Sequence, residues 1–243
     1  MVYNRKSIGI EKDIQAAWNG IHASIRQMHP SSQIRPNAAS DIFSIDFSID
    51  GNSTELKCEV RPVVFCVPER ANGRKSDIYV AVKGWLSFGA PLPSDPRRTT
   101  QKFGTQVGYF RVEDEQLVHV YGVHYDMDNR LNRLGHPVFH AQMSSQVDLG
   151  NYVNQLFNLK LIIQDIGPLL GNVRTPTAQM DAFSVITQIG ADHLVSNGSS
   201  REVLRAFNKL RNACDFFIGA EGRITDLNCP PDTRCYRSTH WYT

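Results

Sequence analysis

Residues Asp41–Asp50 read DIFSIDFSID, and apolar and polar side chains alternate from Phe43 to Asp50. A period of two places the phenylalanine and isoleucine side chains on one face of a β-strand and the serine and aspartate side chains on the other. Turn-forming residues follow at 50–52, and Leu56, Cys58 and Val60 then alternate with charged residues. The pattern predicts an antiparallel hairpin with one face towards a core and one towards water.

Further β-like stretches extend this sheet at 77–88, 106–112, 117–126 and 136–143. The connection GAPLPSDPRRTTQK (89–102) contains three prolines, which fit poorly inside regular structure, so we predict an exposed loop there. The acidic segment Glu113-Asp114-Glu115 predicts a turn between two of the strands.

Amphipathic helices are predicted on both sides of the strands. The stretch 10–28 and the stretch from Asn151 to about Gln164 have apolar residues at three- and four-residue steps. Thr175-Pro176 fits an N-cap followed by proline in the first turn, and Ser199 with Glu202 fits a capping box, so two more helices are expected to begin there.

The order of these elements determines the fold class that we expect. Helix, strands and helices occur as separate runs without βα alternation, which predicts an α+β fold. It would have an N-terminal helix, an antiparallel β-meander of about six strands and a helical C-terminal part. We expect the helix and sheet of residues 1–147 and the helical residues 148–243 to pack together as one composite domain.

Composition narrows the class of protein. The chain has 243 residues, of which 41% are hydrophobic and 21% charged, and its net charge of +2 gives no general attraction to nucleic acid or anionic lipid. Five scattered cysteines and a start without the apolar core of a signal peptide favour a reduced, cytoplasmic protein. No apolar run approaches the roughly 20 residues that a membrane helix needs, so no membrane partner is expected.

Sequence motifs for several common chemistries are missing. There is no GxSxG elbow, no GxxxxGKS/T phosphate loop and no GxGxxG after a strand. Serine-hydrolase, ATP and NAD chemistry are therefore not expected.

The stretch 117–143 holds the densest set of residues that are typical of functional sites. If its two strands pair as a hairpin, the simplest register puts Asp126 opposite His136. His124 shares a face with Asp126 on the first strand, and His140 shares a face with His136 on the second. Up to three imidazoles and one carboxylate then converge, and these four residues are the predicted catalytic set.

Several roles fit such a cluster, and the sequence leaves them open. Imidazole and carboxylate are ligands of divalent transition metals, so a metal cofactor is one alternative. A histidine pair can also act as general acid and base in phosphodiester cleavage without a metal. A purely structural role is the third alternative, because no metal signature such as HExxH is present.

A second candidate surface is basic and aromatic. Arg97, Arg98 and Lys102, together with Trp85, form a set that can bind a protein partner or stack and pair with nucleic acid. Solvated charges in a loop are the simpler interpretation of the same residues.

Two segments carry a family resemblance. HPVFHAQ (136–142) and RTPTAQMDAFSVITQIGADHL (174–194) resemble an uncharacterised group of prokaryotic proteins with a His-Pro-x-x-His-x-Gln strand and a later helix that ends in Asp-His. The resemblance implies an accessory component of a bacterial defence or toxin-antitoxin island, with a protein partner encoded alongside. It also draws attention to supporting residues near the histidines, namely Gln142, Arg174, Asp192 and His193.

Two functions are therefore expected from the sequence. The favoured one is a protein-docking platform in a bacterial defence or toxin-antitoxin-like system, because the chain offers a platform but no complete catalytic constellation. The alternative is a metal-dependent or histidine-based phosphodiesterase or nuclease that uses the histidine hairpin.

Overall fold

Six strands follow one another along the chain and pair with their sequence neighbours in an antiparallel meander. The computed structural model describes residues 5–28, 45–49, 56–68, 77–92, 95–127, 139–163 and 167–214. The meander strands are β1 (Ile45–Ile49), β2 (Leu56–Pro68), β3 (Asp77–Leu92), β4 (Asp95–Glu113), β5 (Gln116–Met127) and β6 (Phe139–Met143).

Two short strands and five helices complete the described structure. β7 (Lys160–Ile162) pairs parallel to β5, and β8 (Arg174–Pro176) pairs antiparallel to β6. The helices are α1 (Arg5–Met28), α2 (Val147–Phe157), α3 (Gly167–Gly171), α4 (Ala182–Ile189) and α5 (Arg201–Cys214), and a π-helical turn at Gly190–Leu194 extends α4. The predicted α+β class is confirmed.

The main core lies on one face of the sheet, which we call the core face. The apolar stripe predicted for α1 is confirmed there, since Trp18 and Ile21 are buried. Trp18 meets Phe183 of α4 edge-on, with ring centroids 5.8 Å apart. Leu210 of α5 belongs to the same buried cluster, so helices from both ends of the chain pack on one face.

The second face of the sheet has two parts. α2 packs on one end of it, over a smaller apolar cluster that includes Phe110 and Leu117. At the other end the alternation of β2 to β5 presents mostly polar side chains, and we call this region the open face. Its members are Lys57, Glu59, Arg61, Lys83, Trp85, Lys102, Gln106, His124 and Asp126.

The prediction of a loop at 89–102 is wrong, because the residues that the structure describes there form strands. β3 and β4 continue as an irregular two-stranded arm, in which Pro91 lies opposite Arg98. Among the described strands, β2 pairs with β3 only as far as Phe88, so each strand of the arm has one neighbour. Proline is tolerated in this position because its missing N–H can face away from the partner strand.

Two predicted helices have different boundaries in the structure, the one at 151–164 and the one expected to begin at Thr175-Pro176. α2 ends at Phe157, because Asn158 takes a left-handed conformation (φ 53°) and the chain then enters β7. Thr175-Pro176 lies in β8 and starts no helix. α4 begins later, at Ala182, and its N-cap is Asp181, whose carboxylate accepts hydrogen bonds from the Phe183 and Ser184 amides.

The capping box predicted from Ser199 is displaced by one residue. Ser200 Oγ accepts a hydrogen bond from the Val203 amide at 3.3 Å, so Ser200 caps α5. Ser199 instead accepts a hydrogen bond from the Ser196 amide at 2.8 Å, which closes the turn before the helix. The turn at 113–115 is confirmed, with positive φ at Asp114 and Glu115 (46° and 60°) as in a two-residue type I′ hairpin.

Two opposed glycines allow the chain to cross the second face of the sheet. Gly108 on β4 lies opposite Gly122 on β5. A Cβ atom on Gly122 would strike the Ser144 carbonyl oxygen and lie 2.6 Å from Gln146 Cγ. The segment that leads into α2 therefore rests directly on the β5 backbone, between the apolar cluster and the open face.

We expect Gly122→Ala to lower the free energy of unfolding by about 1–3 kcal/mol, because the added methyl group displaces backbone in a packed crossing. Urea denaturation measures the change. Gly198→Ala is the matched control, since its Cβ would meet nothing within 4 Å. Equal stabilities for the two variants would contradict this account of the crossing.

Candidate functional site

The predicted β5–β6 hairpin forms, but its register differs from the prediction. Asp126 lies opposite His140, and His124 lies opposite Gln142. His136, the predicted partner of Asp126, lies outside the described residues. The simplest register was wrong because a long connection does not fix strand pairing.

The core explains which register forms instead. Met127 lies opposite Phe139, and both side chains are buried in the cluster on the core face. Because side chains alternate along a strand, burying this apolar pair turns Asp126 and His140 to the other face together.

Asp126 lies between two imidazoles. His124 Nε2 hydrogen bonds to Asp126 Oδ2 at 3.0 Å, and His140 Nε2 lies 2.8 Å from Asp126 Oδ1. The second contact is short but poorly aligned for a hydrogen bond, so it is mainly electrostatic. We call these three residues the His–Asp–His cluster.

The two imidazoles differ in exposure. The His140 side chain is 2% exposed, whereas that of His124 is 34% exposed. His140 lies on β6, between β5 and β8, with Pro176 of β8 opposite it. His124 is therefore the imidazole of the cluster that a ligand can reach.

The charge of Asp126 sets which ring nitrogen of His124 carries the hydrogen in the neutral form. Burial alone would raise the pKa of Asp126, but contacts with His124 and His140 outweigh burial and lower that pKa. An ionised carboxylate only accepts hydrogen bonds, so His124 must donate its Nε2–H to it. In the neutral ring the basic lone pair of His124 then lies on Nδ1.

His124 lines a cleft of about 320 Å³ in the open face. Gln106 lies opposite His124 across β4 and β5, and Lys83 lies opposite Gln106 across β3 and β4. These three side chains form a row across the sheet. Arg61 and Glu59 of β2 also line the cleft, so it contains two cations and one carboxylate beside the imidazole.

Trp85 forms another part of the cleft wall. Its residue is 43% exposed, and its indole lies on the backbone of Gly104, where a Cβ atom would be 2.7 Å from Trp85 Nε1. Gly104 lies opposite both Trp85 and Asp126 on the neighbouring strands. The aromatic residue predicted for a separate binding surface therefore belongs to the same surface as the His–Asp–His cluster.

Of the predicted basic residues, Lys102 is exposed on the open face beside this cleft. Arg97 and Arg98 lie in the β4 arm, and their side chains are outside the described set. Arg61 and Gln106 were missed by the sequence analysis, although their polar character at alternating strand positions was a usable signal.

The supporting residues divide between the two faces. Gln142 donates a hydrogen bond to the Gly171 carbonyl and lies opposite Arg174 of β8, which is exposed. Asp192 and His193 lie in the π-helical turn on the core face, where His193 Nε2 is 3.3 Å from the Tyr109 hydroxyl. His193 therefore lies away from the hairpin histidines, because α4 packs on the opposite face.

Metal ligation has no geometric support in the described part of the chain. Among those residues, no group of three or more His, Cys, Asp and Glu side chains is arranged to hold a metal ion. In the His–Asp–His cluster both Nε2 atoms face the carboxylate.

Comparisons of the chain with protein-family models, with curated proteins and with solved structures gave no significant match. None of the helices that the structure describes is long and apolar enough to cross a membrane.

We expect Asp126→Asn to lower the free energy of unfolding at pH 6 by about 1–3 kcal/mol, because His124 and His140 lose a charged acceptor. The pKa of Asp126 is lower in the folded chain than its usual value of about 3.9. Its stabilisation is therefore complete above that pH and is lost as the pH falls through it. Urea denaturation from about pH 6 to pH 2 should show the two proteins converging in stability.

Asp148→Asn is the control for this measurement. The Asp148 side chain is 80% exposed and its ion pair with Lys83 is a surface contact, so its loss should change stability by less than about 1 kcal/mol. A pH-independent difference between wild type and Asp126→Asn would contradict the proposed ionisation of Asp126.

Proposed function

We propose that the open face binds a phosphodiester and that His124 acts as a general base in its hydrolysis without a metal. One observation supports the proposal above all. The Nε2 atom of His124 is held by Asp126, while its ring lines a cleft that also contains Arg61 and Lys83. A positioned base beside cations is the combination that phosphoryl transfer requires.

The proposed reaction uses Nδ1 of His124. A water molecule gives a proton to Nδ1 as its oxygen forms a bond to phosphorus. The bond between phosphorus and the leaving oxygen breaks on the side opposite the attack, so the leaving oxygen takes its proton from water and the imidazolium later releases its proton to solvent. Arg61 and Lys83 oppose the negative charge that builds on the non-bridging oxygens.

Asp126 and His140 are positioning residues in this scheme. Asp126 orients the imidazole of His124 and stabilises the imidazolium that forms during the reaction. His140 is buried against the second carboxylate oxygen and limits rotation of the Asp126 side chain. The buried half of the cluster therefore keeps the accessible half in one orientation.

A protein-docking role is the second candidate, and the exposed indole of Trp85 favours it. Tryptophan is enriched at the centres of protein interfaces, and Trp85 lies in the middle of the open face. Membership of a bacterial defence or toxin-antitoxin-like system, with a partner encoded alongside in the cytoplasm, remains a prediction from the resemblance.

We expect the protein to hydrolyse bis(4-nitrophenyl) phosphate or a short oligonucleotide in the presence of EDTA. His124→Gln should lower kcat by about 100-fold or more, because it removes the general base. Lys83→Gln should lower kcat/KM without abolishing turnover. Melting curves should show that both variants fold.

His193→Gln is the matched control, since it removes a half-buried imidazole on the opposite face of the sheet and should leave activity unchanged. Unchanged activity in His124→Gln would contradict the assignment of the base. Turnover that EDTA abolishes would support the metal-dependent alternative, and no turnover of any phosphodiester would favour docking.

A further inference from the structure

We infer that the phosphodiester held in the cleft belongs to a single strand of nucleic acid that lies along β3 with one base stacked on Trp85. The inference rests on the proposed function and adds the substrate class. The geometry that supports it is the order of cationic and aromatic side chains along the open face.

Cations lie on both sides of the indole. Lys57 of β2 and Lys102 of β4 both lie opposite Ser87 of β3. Trp85 is two residues from Ser87 along β3, and Lys83 is two residues beyond Trp85. Each two-residue step spans about 6.6 Å on one face of a strand, so the indole lies between two basic positions.

The balance of charge on this surface favours an anionic polymer. The open face carries the cations Lys57, Arg61, Lys83 and Lys102 against the carboxylates Glu59 and Asp126 and against Asp148, which pairs with Lys83. Asp126 is already in contact with two imidazoles. Although the net charge of the chain is only +2, cations outnumber carboxylates on the open face as well.

The position of Trp85 favours unpaired bases. The residue is 43% exposed in the wall of the cleft, and an aromatic face accepts any nucleobase that is free to stack. The bases of a duplex are already stacked and paired, so they cannot occupy this position. A mononucleotide would use the cations on one side only, whereas a strand places phosphates on both sides of the stacked base.

The same geometry indicates which phosphate is cleaved. Lys83, Gln106 and His124 are neighbours across three strands, each step about 4.8 Å. The phosphate beside Lys83 is therefore the one nearest to His124, the general base. The phosphate beside Lys57 and Lys102 serves as an anchor.

Binding is measured by fluorescence anisotropy in the His124→Gln background, which prevents turnover. The probes are a labelled single-stranded RNA of about 12 nucleotides, the duplex of the same sequence and a labelled mononucleotide. The single strand should bind at least about tenfold more tightly than either competitor. Adding Trp85→Ala should weaken binding of the strand by about tenfold or more, and Trp85→Phe should weaken it less.

The anchoring cations are tested by salt dependence. The double substitution Lys57→Gln and Lys102→Gln should make the slope of log K against log salt less steep by about 1.4, the value for two phosphate contacts to a single strand. Arg205→Gln with Lys209→Gln on α5 is the control, because these exposed cations lie on a helix of the core face. That control should leave the slope unchanged.

The outcomes separate this inference from the proposed function. The inference is overturned, and the proposed function stands, if wild type hydrolyses small diesters through His124 but Trp85→Ala leaves binding of the single strand unchanged. The same conclusion follows if the duplex or the mononucleotide binds as tightly as the single strand. If single strands bind through Trp85 but His124→Gln cleaves as fast as wild type, the binding surface is supported and the catalytic role of His124 is overturned.

Discussion

The contact of Asp126 with two imidazoles is the interaction on which the site depends. A partly buried carboxylate is stable only when its charge is compensated, and here His124 and His140 compensate one oxygen each. The contact also requires β5 and β6 to pair in one register, which places Met127 and Phe139 in the core. Apolar burial on one face and charge pairing on the other therefore select the same arrangement.

Among the described residues, α2 and the segment before it cover the second face of the sheet only as far as the row of Gly108 and Gly122, which leaves the open face beyond that row. Gly108 and Gly122 allow the segment before α2 to lie on the sheet, and α2 then covers the apolar end around Phe110. Beyond that row the alternating positions are charged or aromatic, as at Lys83 and Trp85. A helix cannot bury such side chains without losing their hydration, and none of the described helices packs on this end.

Alternation of side chains was sufficient to predict the six meander strands in outline, the α+β class and the shared face of His124 and Asp126, but not β7, β8 or the arm of β3 and β4. It was not sufficient for features that depend on which segments meet. The pairing of Asp126 with His140 follows from core packing across a long connection, and the position of His193 follows from the face on which α4 packs. Local signals for Thr175-Pro176 were overridden because β6 offered that segment backbone hydrogen bonds in the sheet.

The ion pair between Lys83 and Asp148 bears on whether the cleft can accept a phosphate. Lys83 Nζ lies 3.4 Å from Asp148 Oδ2, and the Asp148 side chain is 80% exposed. Such surface pairs contribute about 0–1 kcal/mol, so a phosphate dianion or diester can replace Asp148 as the partner of Lys83 at small cost. The ammonium group would then exchange a solvated carboxylate for an anion enclosed by Arg61 and His124. The pair at the start of α2 therefore holds Lys83 near the cleft without blocking it.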